Sequence, residues 1–163
     1  MYNKGVASAT VPPEIATLDV LPGSRYTDAY QFKTDPDGRH SPAEWAAAVF
    51  EGSPLSTFVR FGWRWGLLLR LAPQGTAGHV LGWPLQAVPG ESGVVVLAQE
   101  SPLMSARLVF RAPPGTLQFS TYVRYTGIAG RVVWAVAGVL HRRLVPYLLR
   151  SAIRRSRCAT TLA

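Results

Sequence analysis

Mostly apolar residues near the end of the chain recur at spacings of three and four. The recurring positions are Trp134, Ala137, Gly138, His141, Val145, Leu148 and Ala152. Arg142, Arg150 and Arg154 fall on the opposite face of a helix drawn through the same positions. This pattern predicts one long amphipathic helix, from about Gly130 to Arg154, that packs its apolar face on the rest of the protein.

Four strand-like runs precede this helix, and each is closed by proline, glycine or serine turn residues. The runs are Val80–Val88, Gly93–Glu100, Met104–Ala112 and Thr116–Tyr125. Connections this short join antiparallel strands, so we expect a meander. The last two runs alternate apolar residues with polar or basic ones, which predicts a sheet covered on one face only.

The first part of the chain predicts one strand and two helical segments. Tyr26–Phe32 alternates aromatic or small residues with polar ones, as a strand does. Ser41 and Glu44 have the spacing of a capping box, which begins a helix over Pro42–Glu51. A second apolar segment, Leu55–Leu71, has helical spacing, although two glycines inside it weaken that prediction.

These elements predict an α+β protein with a single domain at residues 25–157. An irregular arm at residues 1–24, with one edge strand near Ile15–Val20, precedes the domain, and a tail at residues 158–163 follows it. With 163 residues and an apolar content of 48%, the chain is long enough to bury a sizeable core.

The net charge of +8 is distributed unevenly along the chain. All nine acidic residues lie at or before Glu100, whereas ten arginines lie between Arg107 and Arg157. Arginine presents a planar fork that matches carboxylates and phosphates. The arginine-rich end therefore suits anionic lipid, nucleic acid or an acidic partner, and it equally suits a solvated protein surface.

Three features predict a soluble cytoplasmic protein. The single cysteine, Cys158, excludes an internal disulfide bond and a multi-cysteine metal site. The N-terminus lacks the basic and apolar stretch that is typical of a signal peptide. The most apolar window, Val132–Leu140, is far shorter than the roughly 20 residues of a membrane span.

The order of elements is similar to that of the helix-grip fold of the START-like (SRPBCC) superfamily. Five segments also resemble a bacterial domain family of that superfamily, common in actinobacteria: AEWAAAVFEG, HVLGWPL, SPLMSARLVFR, TYVRY and VVWAVAGVLHRRLVPYLLR. The resemblance covers about residues 26–155. It implies a curved antiparallel sheet that wraps the C-terminal helix and encloses a hydrophobic cavity. Relatives in the wider superfamily bind lipids, polyketides or plant hormones, or act as cyclases, and no catalytic set is established for this family.

Candidate ligand-binding residues lie on the predicted sheet and on the last helix. Large side chains suited to the walls of an apolar pocket are Trp83, Leu108, Phe110, Phe119, Tyr125 and Trp134. Ala137 and Gly138 leave room beside Trp134 on the helix face. The same side chains would also serve as ordinary core packing.

His141 lies on the apolar face of the predicted helix and should point toward the sheet. A titratable imidazole there could orient a ligand or act as a general base. The alternative is a core histidine bonded to a backbone carbonyl or a tyrosine, since no carboxylate is visibly placed to orient it. The three histidines lack metal-site spacing, and the sequence contains no P-loop, dinucleotide-binding or serine-hydrolase motif.

Three functions fit these residues. The first is a non-catalytic module that binds a small hydrophobic or amphipathic molecule between sheet and helix, with no cofactor and no metal. The second is a START-like enzyme of the polyketide cyclase or hydrolase kind, with His141 and Tyr125 as acid–base residues. The third is a weak contact with anionic membrane or an acidic partner through Arg150, Arg154, Arg155 and Arg157. Nucleic acid ranks below these, because aromatic residues are not interleaved with the arginines.

Overall fold

Seven strands form one antiparallel sheet in the computed structural model, which describes residues 6–8, 20–35, 40–91 and 93–160. The strands are β1 (Val6–Ser8), β2 (Tyr26–Lys33), β3 (His79–Val80), β4 (Trp83–Ala87), β5 (Val94–Glu100), β6 (Met104–Arg111) and β7 (Thr116–Tyr125). Their order across the sheet is β1-β2-β7-β6-β5-β4-β3. The predicted meander is confirmed, because each strand from β4 to β7 pairs with the next one. The first long strand, β2, lies beside the last, β7.

Two short helices and one long helix complete the α+β fold. They are α1 (Pro42–Phe50), α2 (Ser56–Phe61, continued by a π-helical turn at Gly62–Gly66) and α3 (Gly127–Thr160). The predicted capping box at the start of α1 is confirmed. Oγ of Ser41 accepts a hydrogen bond from the Glu44 N–H at 3.2 Å, and the Glu44 carboxylate accepts one from the Ser41 N–H at 2.6 Å.

The predicted strand Val80–Val88 is divided into β3 and β4 by a tight turn. Leu81 and Gly82 have φ angles of 49° and 89°, in the left-handed region. A Cβ atom on Gly82 would lie 2.8 Å from the carbonyl oxygen of Ala72. Only glycine fits this position, and a continuous strand cannot form through it.

The predicted helical segment Leu55–Leu71 ends early, at Gly66, and the chain from there to Pro73 is neither helix nor strand, with Leu68 in the left-handed region at a φ of 53°. The side chain of Arg60 on α2 links the end of this segment to the turn between β3 and β4. Its guanidinium donates hydrogen bonds to the carbonyl oxygens of Leu81 at 3.0 Å and Ala72 at 2.7 Å. These bonds satisfy carbonyl groups outside regular structure, so the segment is stable without being helical.

The long helix α3 extends beyond its predicted bounds at both ends. It begins at Gly127, whose φ of 68° lets the chain turn directly out of β7. It continues to Thr160, so the predicted tail at residues 158–163 is helical up to that residue. The rest of the tail lies outside the described residues. At the other end of the chain, most of the predicted arm and of its edge strand also lies outside them, while β1 pairs with β2.

The main core lies on the inner face of the sheet, as the alternating pattern predicted. Ala106, Leu108 and Phe110 of β6 are buried there. The outer face carries a second, smaller core of Leu21, Val94, Val96, Val109 and Tyr122. The prediction of a sheet covered on one face only is wrong, because the segment before β2 places Leu21 over the outer face.

One side of α3 is buried against the rest of the protein, and it is the predicted side. Trp134, Val145, Leu148 and Ala152 are each at most 6% exposed. Arg142, Arg150 and Arg154 are exposed, again as predicted. The spacing of three and four therefore located the packing face of this helix correctly.

A different side of α3 carries apolar residues that nothing in the described structure covers. With α2 and its π turn it forms a surface termed here the exposed apolar face: Phe58, Phe61, Trp65, Ile128, Val132, Val136, Val139 and Leu140, all at least 45% exposed. Among the described residues, α3 is the helix that is long enough and apolar enough to span a membrane. Only 28% of its most apolar 18-residue window is buried. The core helix of a soluble protein can meet the same criteria of length and composition.

Candidate functional site

A cavity of about 460 Å³ lies between the sheet, α2 with its π turn, and α3. The residues that line it are Phe50, Phe58, Val59, Gly62, Trp63, Gly66 and Leu67, then Trp83, Ala106, Leu108, Thr121 and Val123 of the sheet, and Val132, Val133, Trp134, Val136, Ala137, Leu140, His141, Leu144, Val145 and Leu148 of α3. Apart from the indole groups, Thr121 and His141 supply the polar side-chain atoms of these walls. The cavity is therefore apolar, with one polar region.

Strands β2 and β7 build this polar region. Asp28 of β2 and Thr121 of β7 are directly opposite each other in the antiparallel register, and both are buried on the inner face. His141 of α3 lies against the pair. Its Nε2 atom is 3.2 Å from Oδ2 of Asp28 and 3.1 Å from Oγ1 of Thr121.

Two tyrosines complete the surroundings of Asp28. Tyr26 and Tyr30 lie two positions before and after it, so their side chains share its face of the sheet. Their hydroxyl groups donate to Oδ2 of Asp28 at 2.6 Å and 3.3 Å. Oδ1 of Asp28 is buried and has no hydrogen-bond partner in the described part of the chain. We term Tyr26, Asp28, Tyr30, Thr121 and His141 the polar cluster.

The polar cluster favours an ionised Asp28. Burial raises the pKa of Asp28, but hydrogen bonds from His141 and Tyr26 and the charge of a protonated His141 together lower it below its ordinary value. Burial also raises the pKa of Tyr26 and of Tyr30, and the neighbouring Asp28 carboxylate raises both further. The tyrosines are therefore hydrogen-bond donors and Asp28 is an acceptor near neutral pH.

This arrangement fixes the tautomer of a neutral His141. A carboxylate can only accept hydrogen bonds, so Nε2, which faces Asp28, carries the proton and Nδ1 is free to accept one. A held imidazole at a cavity wall can bind the hydroxyl group of a ligand or remove a proton from it. The described residues contain no group of three or more His, Cys, Asp or Glu side chains that could hold a metal ion.

Aromatic rings pack around His141 and limit its movement. The ring centroids of Trp134 and Tyr26 are 5.0 Å apart in an edge-on arrangement, and Trp134 lies 5.4 Å from His141. The guanidinium of Arg142 lies over the Tyr26 ring at 6.0 Å. The imidazole is 14% exposed, so its orientation is set by packing as well as by hydrogen bonds.

The structure separates the predicted ligand-binding residues into two groups. Those that line the cavity are Trp83, Leu108, Trp134, Ala137 and His141. The other four, Phe110, Phe119, Tyr125 and Gly138, lie elsewhere. All nine were placed on the inner side of the sheet or helix by periodicity, which cannot tell a cavity wall from a packed core.

The four remaining residues lie in three different environments. Phe110 and Phe119 are fully buried and pack edge-on with ring centroids 4.9 Å apart, so they belong to the core. Tyr125 lines a separate pocket with Arg25 and Arg131, not the cavity that His141 lines. Gly138 leaves no free room, because a Cβ atom there would lie 3.2 Å from Nε1 of Trp134.

The C-terminal arginines differ in how far the fold already uses them. Arg155 donates to the Ala48 carbonyl oxygen at 2.7 Å, and Arg157 donates to the Lys33 carbonyl oxygen at 3.3 Å. Arg150 lies over the ring of Phe32 at 5.6 Å. Arg154 is exposed. Three of the four predicted anion-binding side chains therefore bind other parts of the same chain.

Sequence reasoning missed the carboxylate that faces His141, although one signal was present. Asp28 shares its strand face with Tyr26 and Tyr30, and this is the face that meets the core. A charged residue among aromatic residues on a buried face needs a partner. The partner, His141, is far away in sequence, and only the pairing of β2 with β7 brings the two together.

Comparison of this chain with protein-family models, with curated proteins and with solved structures finds no match. The START-like resemblance of the sequence therefore stays a prediction, and the cavity with its polar cluster is the feature of the structure that bears on function.

Proposed function

We propose that this protein binds a small hydrophobic or amphipathic molecule in the cavity between the sheet and α3. The observation that carries the proposal is an apolar cavity of about 460 Å³ whose wall includes His141, a side chain that Asp28 and Thr121 fix in position by hydrogen bonds. Small-molecule sites typically have volumes of roughly 300–1,000 Å³, mostly apolar walls and a few polar groups that orient the ligand. Both the volume and the distribution of polar atoms fit that description.

The walls indicate which chemistry the ligand has. Trp63, Trp83 and Leu108 would contact an apolar body such as a fused ring system or an acyl chain. His141 and Thr121 would meet one hydroxyl, carbonyl or carboxyl group at the polar region. Because the polar cluster already orients His141, little ordering is lost on binding.

The same arrangement supports a START-like helix-grip fold. That fold has an antiparallel sheet, a long C-terminal helix on its inner face and a ligand cavity between them. Each of these features has a counterpart here, namely the β4–β7 meander with β2, the helix α3 and the cavity. The family assignment rests on this architecture and on the sequence resemblance.

Replacing Ala137 with phenylalanine should block the cavity. Ala137 lines it, and a larger side chain there would occupy the space in which a ligand lies. We expect the dissociation constant for a neutral apolar probe, N-phenyl-1-naphthylamine, to rise by about tenfold or more. The free energy of unfolding should change by less than about 1 kcal/mol, since a void is filled and no packed atoms are displaced.

Ala135→Phe is the matched control for this measurement. Ala135 is exposed on the same helix and does not line the cavity. The probe should bind this variant with the same dissociation constant as it binds the unaltered protein. If both variants bound the probe as tightly as the unaltered protein does, the cavity would not be the binding site.

The pairing of His141 with Asp28 favours a second candidate, an enzyme of the polyketide cyclase or hydrolase kind. In it His141 would act as general base, and Asp28 would orient the imidazole and stabilise its charged form. Asp28 takes the partner role that the sequence assigned to Tyr125, which lines a different pocket. A bound molecule that accumulates chemically unchanged in Asp28→Asn and as a product in the unaltered protein would favour this candidate.

A further inference from the structure

The exposed apolar face is continuous with the mouth of the cavity. Phe58, Val132, Val136 and Leu140 line the cavity and are at least 50% exposed. Phe61 and Trp65 extend the same surface along α2 and its π turn without lining the cavity. A contiguous apolar surface of this kind on a protein marks a place where another apolar body binds.

On the two elements that form this face, every charged residue is an arginine. Arg64, Arg131 and Arg143 are exposed on the two elements that form it. The chain has no acidic residue between Glu51 and Glu91 and none after Glu100, so neither element carries a carboxylate. Arg64 also lies over the Trp65 ring at 5.8 Å, which places a cation directly at the apolar surface.

The geometry points to a docking surface for an anionic phospholipid bilayer, formed by the exposed apolar face and its flanking arginines. Phenylalanine, tryptophan and valine side chains would enter the boundary between headgroups and acyl chains. Arginines at the same level would bind lipid phosphates. The helix α3 would lie along the membrane surface, since its other side packs on the sheet through Trp134 and Leu148.

A second copy of this chain fits the same surface less well. Symmetric pairing would bring Arg64, Arg131 and Arg143 of two copies together, and neither element offers a carboxylate to pair with them. An anionic bilayer supplies both the apolar interior and the negative charge that this surface lacks. The inference goes beyond ligand binding, although a ligand could pass from the bilayer into the cavity without crossing water.

Sedimentation with lipid vesicles tests this surface on the full chain. At about 0.1 M salt the protein should bind vesicles of phosphatidylcholine mixed with phosphatidylglycerol and should not bind pure phosphatidylcholine. The double variant Phe61→Ser, Trp65→Ser should weaken binding by about tenfold or more. The double variant Arg64→Glu, Arg131→Glu should do the same. Both should melt at the temperature of the unaltered protein, because all four side chains are exposed.

Two controls lie outside the proposed surface. Lys33→Glu reverses an exposed charge and Gln31→Ala shortens an exposed side chain, both on the outer face of β2, away from α3. Neither should change vesicle binding by more than about twofold. Three results would overturn the inference: no binding to anionic vesicles, an equal loss of binding in Lys33→Glu, or a dimer in solution that Phe61→Ser, Trp65→Ser dissociates. Probe binding in the cavity is measured separately, so vesicle binding and ligand binding can fail independently.

Discussion

Replacing Asp28 with alanine should lower the free energy of unfolding by about 3 kcal/mol. The substitution removes the acceptor of hydrogen bonds from Tyr26, Tyr30 and His141 in one step. The two tyrosine hydroxyl groups would lose their acceptor and His141 would keep only Thr121, which is what makes the loss large. Chemical denaturation followed by far-ultraviolet circular dichroism gives the value.

The control for this substitution is Gln31→Ala on the same strand. Gln31 is exposed, so its truncation should change stability by no more than about 0.5 kcal/mol. If Asp28→Ala lowered the free energy of unfolding as little as Gln31→Ala does, the hydrogen bonds of the polar cluster would not form in solution.

The same carboxylate should make stability depend on pH in the acid range. Because the pKa of Asp28 is lowered in the folded protein, its contribution is present above its ordinary value of 3.8 and is lost as the pH falls through the folded-state value. The difference in unfolding free energy between the unaltered protein and Asp28→Asn should therefore be full near pH 6 and shrink toward pH 3. A difference that grew on acidification would contradict the assignment of Asp28 as ionised.

Replacing Gly130 with alanine should cost about 2–3 kcal/mol, even though alanine is the better helix former by roughly 1 kcal/mol. Gly130 lies in the first turns of α3, directly against the carbonyl oxygen of Leu103 between β5 and β6. That oxygen already accepts the Thr126 N–H at 2.8 Å. An added Cβ atom collides with it, and backbone on both sides has to move.

Gly66→Ala serves as the matched control, since a Cβ atom at Gly66 has no neighbour within 4 Å. It should leave the melting temperature unchanged or raise it. Equal stability of Gly130→Ala and the unaltered protein would show that the start of α3 does not rest on the turn between β5 and β6. The position of α3 over the sheet, and with it the cavity, would then need revision.

Periodicity predicted the parts of the fold that repeat over several residues. The inward side of α3, the inward-facing apolar residues of β6 and β7 and the capping box at Ser41 all follow from local spacing, and the structure confirms them. The early end of the Leu55–Leu71 segment was not predicted. The chain beyond that end is bonded by Arg60 to the carbonyl oxygens of Ala72 and Leu81, which lie too far away in sequence for local spacing to reveal.

The candidate site was only partly predictable, for a related reason. His141 was found because its own helix face pointed inward, whereas Asp28 and Thr121 join it only through the register of β2 with β7. The exposed apolar face was missed because the spacing of three and four was followed only along the inward side of α3, from Trp134 to Ala152. Val132 and Val136 are the same type of residue as the buried Val145, and only the folded structure shows that they are exposed.

Native mass spectrometry of the protein purified without denaturant tests the central claim most directly. We predict that the unaltered protein carries a noncovalently bound small molecule, or takes up an added apolar one at a ratio of one per chain. Ala137→Phe, prepared in parallel, should carry none, because its cavity is filled at a residue that lines it. Bare protein in both samples, with no uptake of added apolar molecules by either, would contradict a ligand-binding cavity between the sheet and α3.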